Sequence, residues 1–366
     1  MSRRTLSLLT MLLAAGAVHA APLPRFSQPN AIWNEDISHA PMRGNSALMM
    51  QRLEAIAATH PESGKWGDHR GNVDFQLDIY DFYVLHASNA TPTKPVVAWP
   101  DLGSYYTGEC EDPGMAFPVP SGGGIEGTGP PPAYSCDAAN NDCHLLVVND
   151  TSNVMFEGYN VNSVDSGGVH AICGLYWDLN RVYPRYGRGE HCTSADGAGF
   201  PIAPLLFNAD EVWAAVQVQG DLGHAIRFAI GNERMMLGTH VHPSSHGTSA
   251  TSDTDVNAVP YGSRLRLKQS FDVNGFSTNA AVRVVLRTLQ KYGMLLSDGG
   301  AIPLMGETDY FTTHKWADAD IAIDSHTFFG INPTDFDVVD AGPPISNSGQ
   351  CMRTPADFLF IDGFDW

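Results

Sequence analysis

The chain has 366 residues, 40 of them acidic and 21 basic, for a formal charge of −19 with neutral histidines. A field of that sign repels nucleic acid and anionic lipid, and no basic tract interrupts it, so neither is expected as a partner. With 43% hydrophobic and 17% charged residues the chain has ample core material, which excludes a disordered protein.

Residues 1–20 read as a signal peptide. Arg3 and Arg4 precede an apolar run from Leu6 to Val18, and Val18-His19-Ala20 supplies the small residues for cleavage after Ala20. That run is shorter than the roughly 20 residues needed to cross a bilayer, and no later run is longer. A secreted or periplasmic protein without a membrane span is therefore expected. In an oxidising compartment the six cysteines predict disulfides. Cys136 and Cys143 enclose a short polar loop and are expected to pair. Cys173 with Cys192, and Cys110 with Cys351, would complete one of several connectivities. No Cys-x-x-Cys motif supports a zinc ribbon or a thioredoxin-like site.

Along the chain, the spacing of Leu48, Met49, Leu53 and Ile56 predicts a helix over 46–59. Residues 73–80 alternate polar and apolar, the period of a half-buried strand. The Gly- and Pro-rich stretch 113–134 reads as a long surface loop. Strands are expected at 144–148 and 154–159, joined by a hairpin turn at Asn149-Asp150-Thr151-Ser152. Further strands are expected at 225–230, 264–268 and 328–331. Val282, Val285, Leu286 and Leu289 form an apolar stripe that predicts a helix over 280–292, and Gly293 stands where a helix-ending glycine belongs. Segments 294–297 and 302–305 then read as a hairpin across Asp298-Gly299-Gly300. Residues 21–345 are expected to form a single secreted domain, mainly β: a β-sandwich or jelly roll with long Gly/Pro-rich loops and a few helices. Residues 346–366 read as a C-terminal tail, with Phe358–Trp366 either an export-associated end of the form aromatic-x-Asp-Gly-Phe-acidic or a last hydrophobic strand.

Several segments carry a resemblance when taken in order: Gly103–Asp112, Thr193–Ile202, Asp210–Val212, Gly223–Phe228, Gly262–Lys268 and Lys291–Asp298. Over roughly residues 95–340 the chain resembles a family of secreted bacterial proteins of uncharacterised activity. The resemblance implies one folded unit and transfers no catalytic residue.

Four constellations could carry chemistry. His240, His242 and His246 cluster, with His224 upstream. Histidines at i and i+2 on a strand share a face, and a third on the following turn would leave an open position for a divalent metal. The competing reading is a solvated Ser-rich loop. No organic cofactor is expected. Paired carboxylates for glycosidic cleavage are the second constellation, with Asp196 among small residues, Glu211, and Glu109 beside two tyrosines. A turn aspartate and a first-turn helix charge are the plain alternatives for Asp196 and Glu211. Arg264, Arg266 and Lys268 would share one face of a strand, a positive strip fit to hold a uronate carboxylate, with His224 or Tyr106 as the base for elimination. A solvated outer face is the rival reading. Tyr105 and Tyr106, with the tryptophans, could stack on sugars.

No phosphate loop, dinucleotide fingerprint or nucleophile elbow is present. These features predict a secreted enzyme that cleaves glycosidic bonds in an extracellular polysaccharide, a glycoside hydrolase ahead of a polysaccharide lyase. A non-catalytic glycan or cell-surface binding protein is the first alternative, and a metal-dependent enzyme built on the histidines the second.

Overall fold

The computed structural model describes residues 23–59, 65–66, 74–300 and 304–353. The expected signal peptide and residues 354–366 of the expected tail lie outside them. Strands dominate, with four α-helices among the described residues: α1 (Ser46–Thr59), α2 (Ala209–Gln217), α3 (Val273–Phe276) and α4 (Ala280–Lys291). No helix is long and apolar enough to cross a membrane.

The central sheet orders strands Val84–Ala87, Leu145–Asn149, Val154–Tyr159 and Cys173–Asp178. Leu145-Leu146-Val147-Val148 is an unbroken apolar run because both faces of this sheet are covered. Leu85, Leu145 and Val147 pack with Val96, Phe117, Val169 and Ala171 in a smaller core. Val84, Leu146, Val148, Leu175 and Trp177 point the other way, into the main core. The hairpin turn forms as expected: the Asn149 side chain accepts from the Thr151 and Ser152 amides at 3.0 and 3.2 Å.

A second four-stranded sheet orders Ile226–Ile230, Met294–Gly299, Arg264–Leu267 and Phe336–Val338. Its first two strands run parallel, with α4 in the chain between them. The Asn279 side chain caps α4 by accepting from the Ala281 amide, and the predicted stripe is buried. Gly293 has φ +68°, and a Cβ there would meet the Leu265 carbonyl oxygen at 2.5 Å.

Several expectations are corrected. Strand Leu304–Glu307 does not fold back on Met294–Gly299; it pairs in parallel with Leu77–Phe82. Residues 328–331 form turns rather than a strand, and Phe328 and Ile331 are buried in the main core. In α1 it is Met49, Met50 and Leu53 that are buried, while Leu48 is 55% exposed. The loop from Pro113 contains a short strand, Ala116–Pro118.

All six cysteines are paired. Cys136–Cys143 forms as expected, but the other two bonds are Cys110–Cys173 and Cys192–Cys351. Sequence spacing could not choose between these pairings, because the folded sheets set which cysteines meet. The start of the expected tail is tied down: Met352–Arg353 pairs with Gly189–Glu190, next to Cys192–Cys351.

Candidate functional site

A cleft opens where the ends of several elements converge. It comprises three adjoining hollows of about 150, 760 and 350 Å³ that share Asp142 in their walls. Asp78, Glu126, His144, Arg227 and Asp298 line the first, and Glu126 continues into the second. Tyr159 connects the second to the third, where Tyr106, Asp196, His246, Tyr261 and Asp298 stand.

Glu126 and His144 form the most committed pair. The Glu126 amide donates to the His144 carbonyl, and one Glu126 carboxylate oxygen accepts from both the His144 amide (3.0 Å) and Nδ1 (2.6 Å). The other imidazole nitrogen, Nε2, lies 2.8 Å from the Ala195 carbonyl oxygen and must donate to it. With both nitrogens donating, the ring is an imidazolium. Burial opposes that charge, but the Glu126 carboxylate overrides it and raises His144 to about 9. Burial likewise works to raise Glu126, and the His144 charge and hydrogen bonds hold it below the ordinary glutamate value. Glu126 is therefore ionised at neutral pH.

Asp298 stands in the opposite condition. It is the penultimate residue of strand Met294–Gly299, keeps 27% of its side chain exposed, and accepts from the Gly197 amide at 3.3 Å. Burial and the nearby Asp196 charge, against Arg227, push it up to about 7. Asp78 is pushed to about 7 as well, by burial and by Asp81. Gly197 admits no side chain, since a Cβ would lie 2.5 Å from an Asp298 carboxylate oxygen. Among the acids of the cleft, Glu126 is thus held ionised while Asp298 and Asp78 are raised to about 7.

Arg227, on strand Ile226–Ile230, is 1% exposed and holds Asp196 at 2.7 Å, with Asp298 at 3.9 Å and the Phe82 ring beneath it. Tyr106 and Tyr159 stack with ring centroids 6.3 Å apart. His246 donates from Nδ1 to the Gly197 carbonyl at 2.8 Å.

The sequence candidates scatter. Asp196, Tyr106 and His246 reach the cleft. Asp196, however, is fully engaged: Arg227 takes one oxygen, and the Ala198 and Phe200 amides take the other. Tyr105 donates to the Glu111 carbonyl at 2.6 Å, and Glu109 accepts from the Thr193 amide at 2.6 Å. Glu211 and His224 meet elsewhere, around Arg25. Its Nη2 lies 2.6 Å from a Glu211 oxygen and 2.8 Å from His224 Nε2, and His224 Nδ1 donates to the Ala225 carbonyl. Burial and Arg25 drive His224 well below its usual value. Through Arg25, Glu211 anchors the N-terminal segment to α2 and His224 anchors it to the chain just before strand Ile226–Ile230.

The expected positive strip is corrected. Arg264 and Arg266 are 5% and 8% exposed and bind main-chain carbonyls. Arg264 serves Ile32, Glu35 and Tyr292, and Arg266 serves Ile37, Ser38 and Ala40. Lys268 donates to the Thr334 carbonyl. The N-terminal segment lies over this strand, so its cationic face is spent on packing. His240 and His242 converge on Glu190, with Nε2 atoms 2.7 and 2.8 Å from its two oxygens, and His246 takes no part there.

Sequence reasoning missed Glu126, His144, Asp298 and Arg227. Glu126 lay in a stretch read only as a loop, and Asp298 in a stretch read only as a turn. Comparison with protein-family models, with curated proteins and with solved structures finds no match to this chain.

Proposed function

We propose that the protein is an exported carbohydrate-active enzyme that hydrolyses glycosidic bonds, and that the Glu126–Asp298 cleft is its active site. One observation carries the reading: a single cleft holds a carboxylate kept ionised by an imidazolium and a carboxyl raised to about 7. Environments that drive two acids apart in this way assign the acid and base roles. Asp298 donates its proton to the glycosidic oxygen as the bond to the anomeric carbon breaks. Water adds to the anomeric carbon and gives up a proton to the Glu126 carboxylate, which also faces the positive charge that develops on the sugar. The second Glu126 oxygen remains available for that role, because His144 occupies only one.

The rest of the cleft suits a sugar chain. The Tyr106–Tyr159 stack offers apolar ring faces, and Asn140, Asn141 and Asn160 line the largest hollow with groups that match hydroxyls. The three disulfides fit a protein made for an oxidising compartment.

The test is a panel of neutral and acidic polysaccharides read by release of reducing ends. Activity abolished in Glu126→Gln and Asp298→Asn, with the fold retained, is expected. Affinity for a polysaccharide without product would turn the reading toward a binding protein. Activity unchanged in both variants would remove this cleft from the chemistry.

A further inference from the structure

Away from the cleft, Glu190, His191 and His240 each present one donor atom, and the three atoms lie within 4.8 Å of one another. We propose that these residues bind a zinc ion that joins two segments of the chain. Each segment arrives by its own route. Glu190 lies on strand Gly189–Glu190, paired to Met352–Arg353. His191 follows with φ +61°, in the left-handed region that histidine enters more readily than most side chains. That turn breaks the strand alternation and lets neighbouring residues 190 and 191 present donors to one point. His240 ends strand Met235–His240 and is fully buried.

The orientation of His240 is set from behind. Its Nδ1 lies 3.0 Å from Asn347 Oδ1, and the Asn347 amide nitrogen donates to the Gly247 carbonyl at 2.9 Å. The amide is therefore not reversed, Nδ1 donates to its oxygen, and Nε2 donates to a Glu190 oxygen at 2.7 Å; a zinc ion would take the place of that Nε2 proton. An outer carbonyl that fixes the tautomer of a ligating histidine is a recurrent support of zinc sites. His242 plays a matching part on the acid, donating from Nε2 to the Glu190 oxygen that His240 does not use.

Two imidazoles and a carboxylate suit zinc better than calcium or magnesium, which prefer all-oxygen shells. Glu190 and His242 also line a cavity of about 690 Å³ with Tyr183, Arg185 and Tyr186, so solvent can reach the site and supply a fourth ligand. This set differs from a His240/His242/His246 triad, because His246 is bound to Gly197 in the cleft. The ion would reinforce the junction that Cys192–Cys351 closes covalently.

The experiment uses the purified, chelator-treated protein titrated with Zn²⁺ by calorimetry, and with Co²⁺ followed by its visible absorption. One ion per chain and a higher melting temperature are expected. Glu190→Gln, which keeps the side-chain shape, should weaken binding at least about 100-fold, and Asn347→Leu about 10- to 100-fold without touching the ion. His246→Ala should bind as the parent does. Circular dichroism checks each variant, and Glu190→Gln decides the matter if a histidine variant fails to fold. No stoichiometric uptake by the parent, or parent-like affinity in Glu190→Gln, would overturn the proposal.

Discussion

Arg227 and Arg266 flank the same strand, Met294–Gly299, in one four-stranded sheet, and both are more than nine-tenths buried. Arg266 directs its guanidinium at three main-chain carbonyls of residues 37–40, and Arg264 beside it reaches residues 32 and 35. Arg227 instead meets two carboxylates in a cleft wall, one engaged and one still partly exposed. Arg266 also has the Asp337 carboxylate at 3.7 Å, so what separates the two is where the partners stand. Carbonyls from a covering segment make a buried cation part of the packing, whereas a carboxylate at a cavity leaves chemistry to be done.

This contrast can be broken at several points. The largest expected effect is on turnover: Asp298→Asn should lower the rate of glycosidic hydrolysis about 10²–10⁴-fold while the melting temperature stays near that of the parent. Glu126→Gln should lower the rate as far and also destabilise the fold, because buried His144 loses its counter-charge. A loss of stability in Asp298→Asn as large as its loss of rate would place that acid with the packing cations.

Arg266→Met should do the reverse. It strips donors from the carbonyls of Ile37, Ser38 and Ala40, at about 1–3 kcal/mol for each group left buried and unpaired. A loss of about 3 kcal/mol in urea denaturation, with an unchanged pH profile of activity, is expected. A stable variant with altered substrate affinity would restore the cationic strip as a binding surface.

Cys136–Cys143 closes the loop that carries Asp142 to the junction of all three hollows. Replacing both cysteines by serine should cost about 2 kcal/mol by the loop-closure estimate and raise KM more than it lowers kcat. Unchanged kinetics would show that this loop does not shape the cleft.

The smallest effect sharpens the assignment of roles. Asp298, raised to about 7, is neutral below that pH, and Glu126, held below the ordinary value, is ionised above it. Activity should therefore have an alkaline limb near 7, falling about tenfold per further pH unit, and an acid limb below the usual glutamate range. His144 is raised from 6.5 to about 9, so the stability it contributes is complete below 6.5 and lost as pH rises through 9. The loss of activity should precede the loss of fold. Coincident transitions would attribute the limb to unfolding.

Much of the secondary structure was legible from local pattern. The stripe of α4 and its terminal glycine, the hairpin at Asn149–Ser152 and the Cys136–Cys143 loop all depend on residues close in sequence. Patterns failed where a distant segment supplied the environment. Arg264-Leu265-Arg266-Leu267 alternates as a half-exposed strand does, yet residues 32–40 cover its charged face. Glu211 and His224 looked free for chemistry until Arg25 joined them. The cleft acids gave no local signal, because the condition of Glu126 depends on His144 and that of Asp298 on Asp196 and Arg227, all brought together by folding.

The amino-acid order by itself determined a strand-rich chain with strong net negative charge, paired cysteines and several well-marked turns, since each follows from composition or from neighbours a few residues apart. Only the tertiary structure decided which cations are packing and which face a cavity, which cysteines meet, and which carboxylates lose or keep a proton. Those outcomes depend on solvent exclusion and on charges from remote segments, and neither exists until the chain has folded.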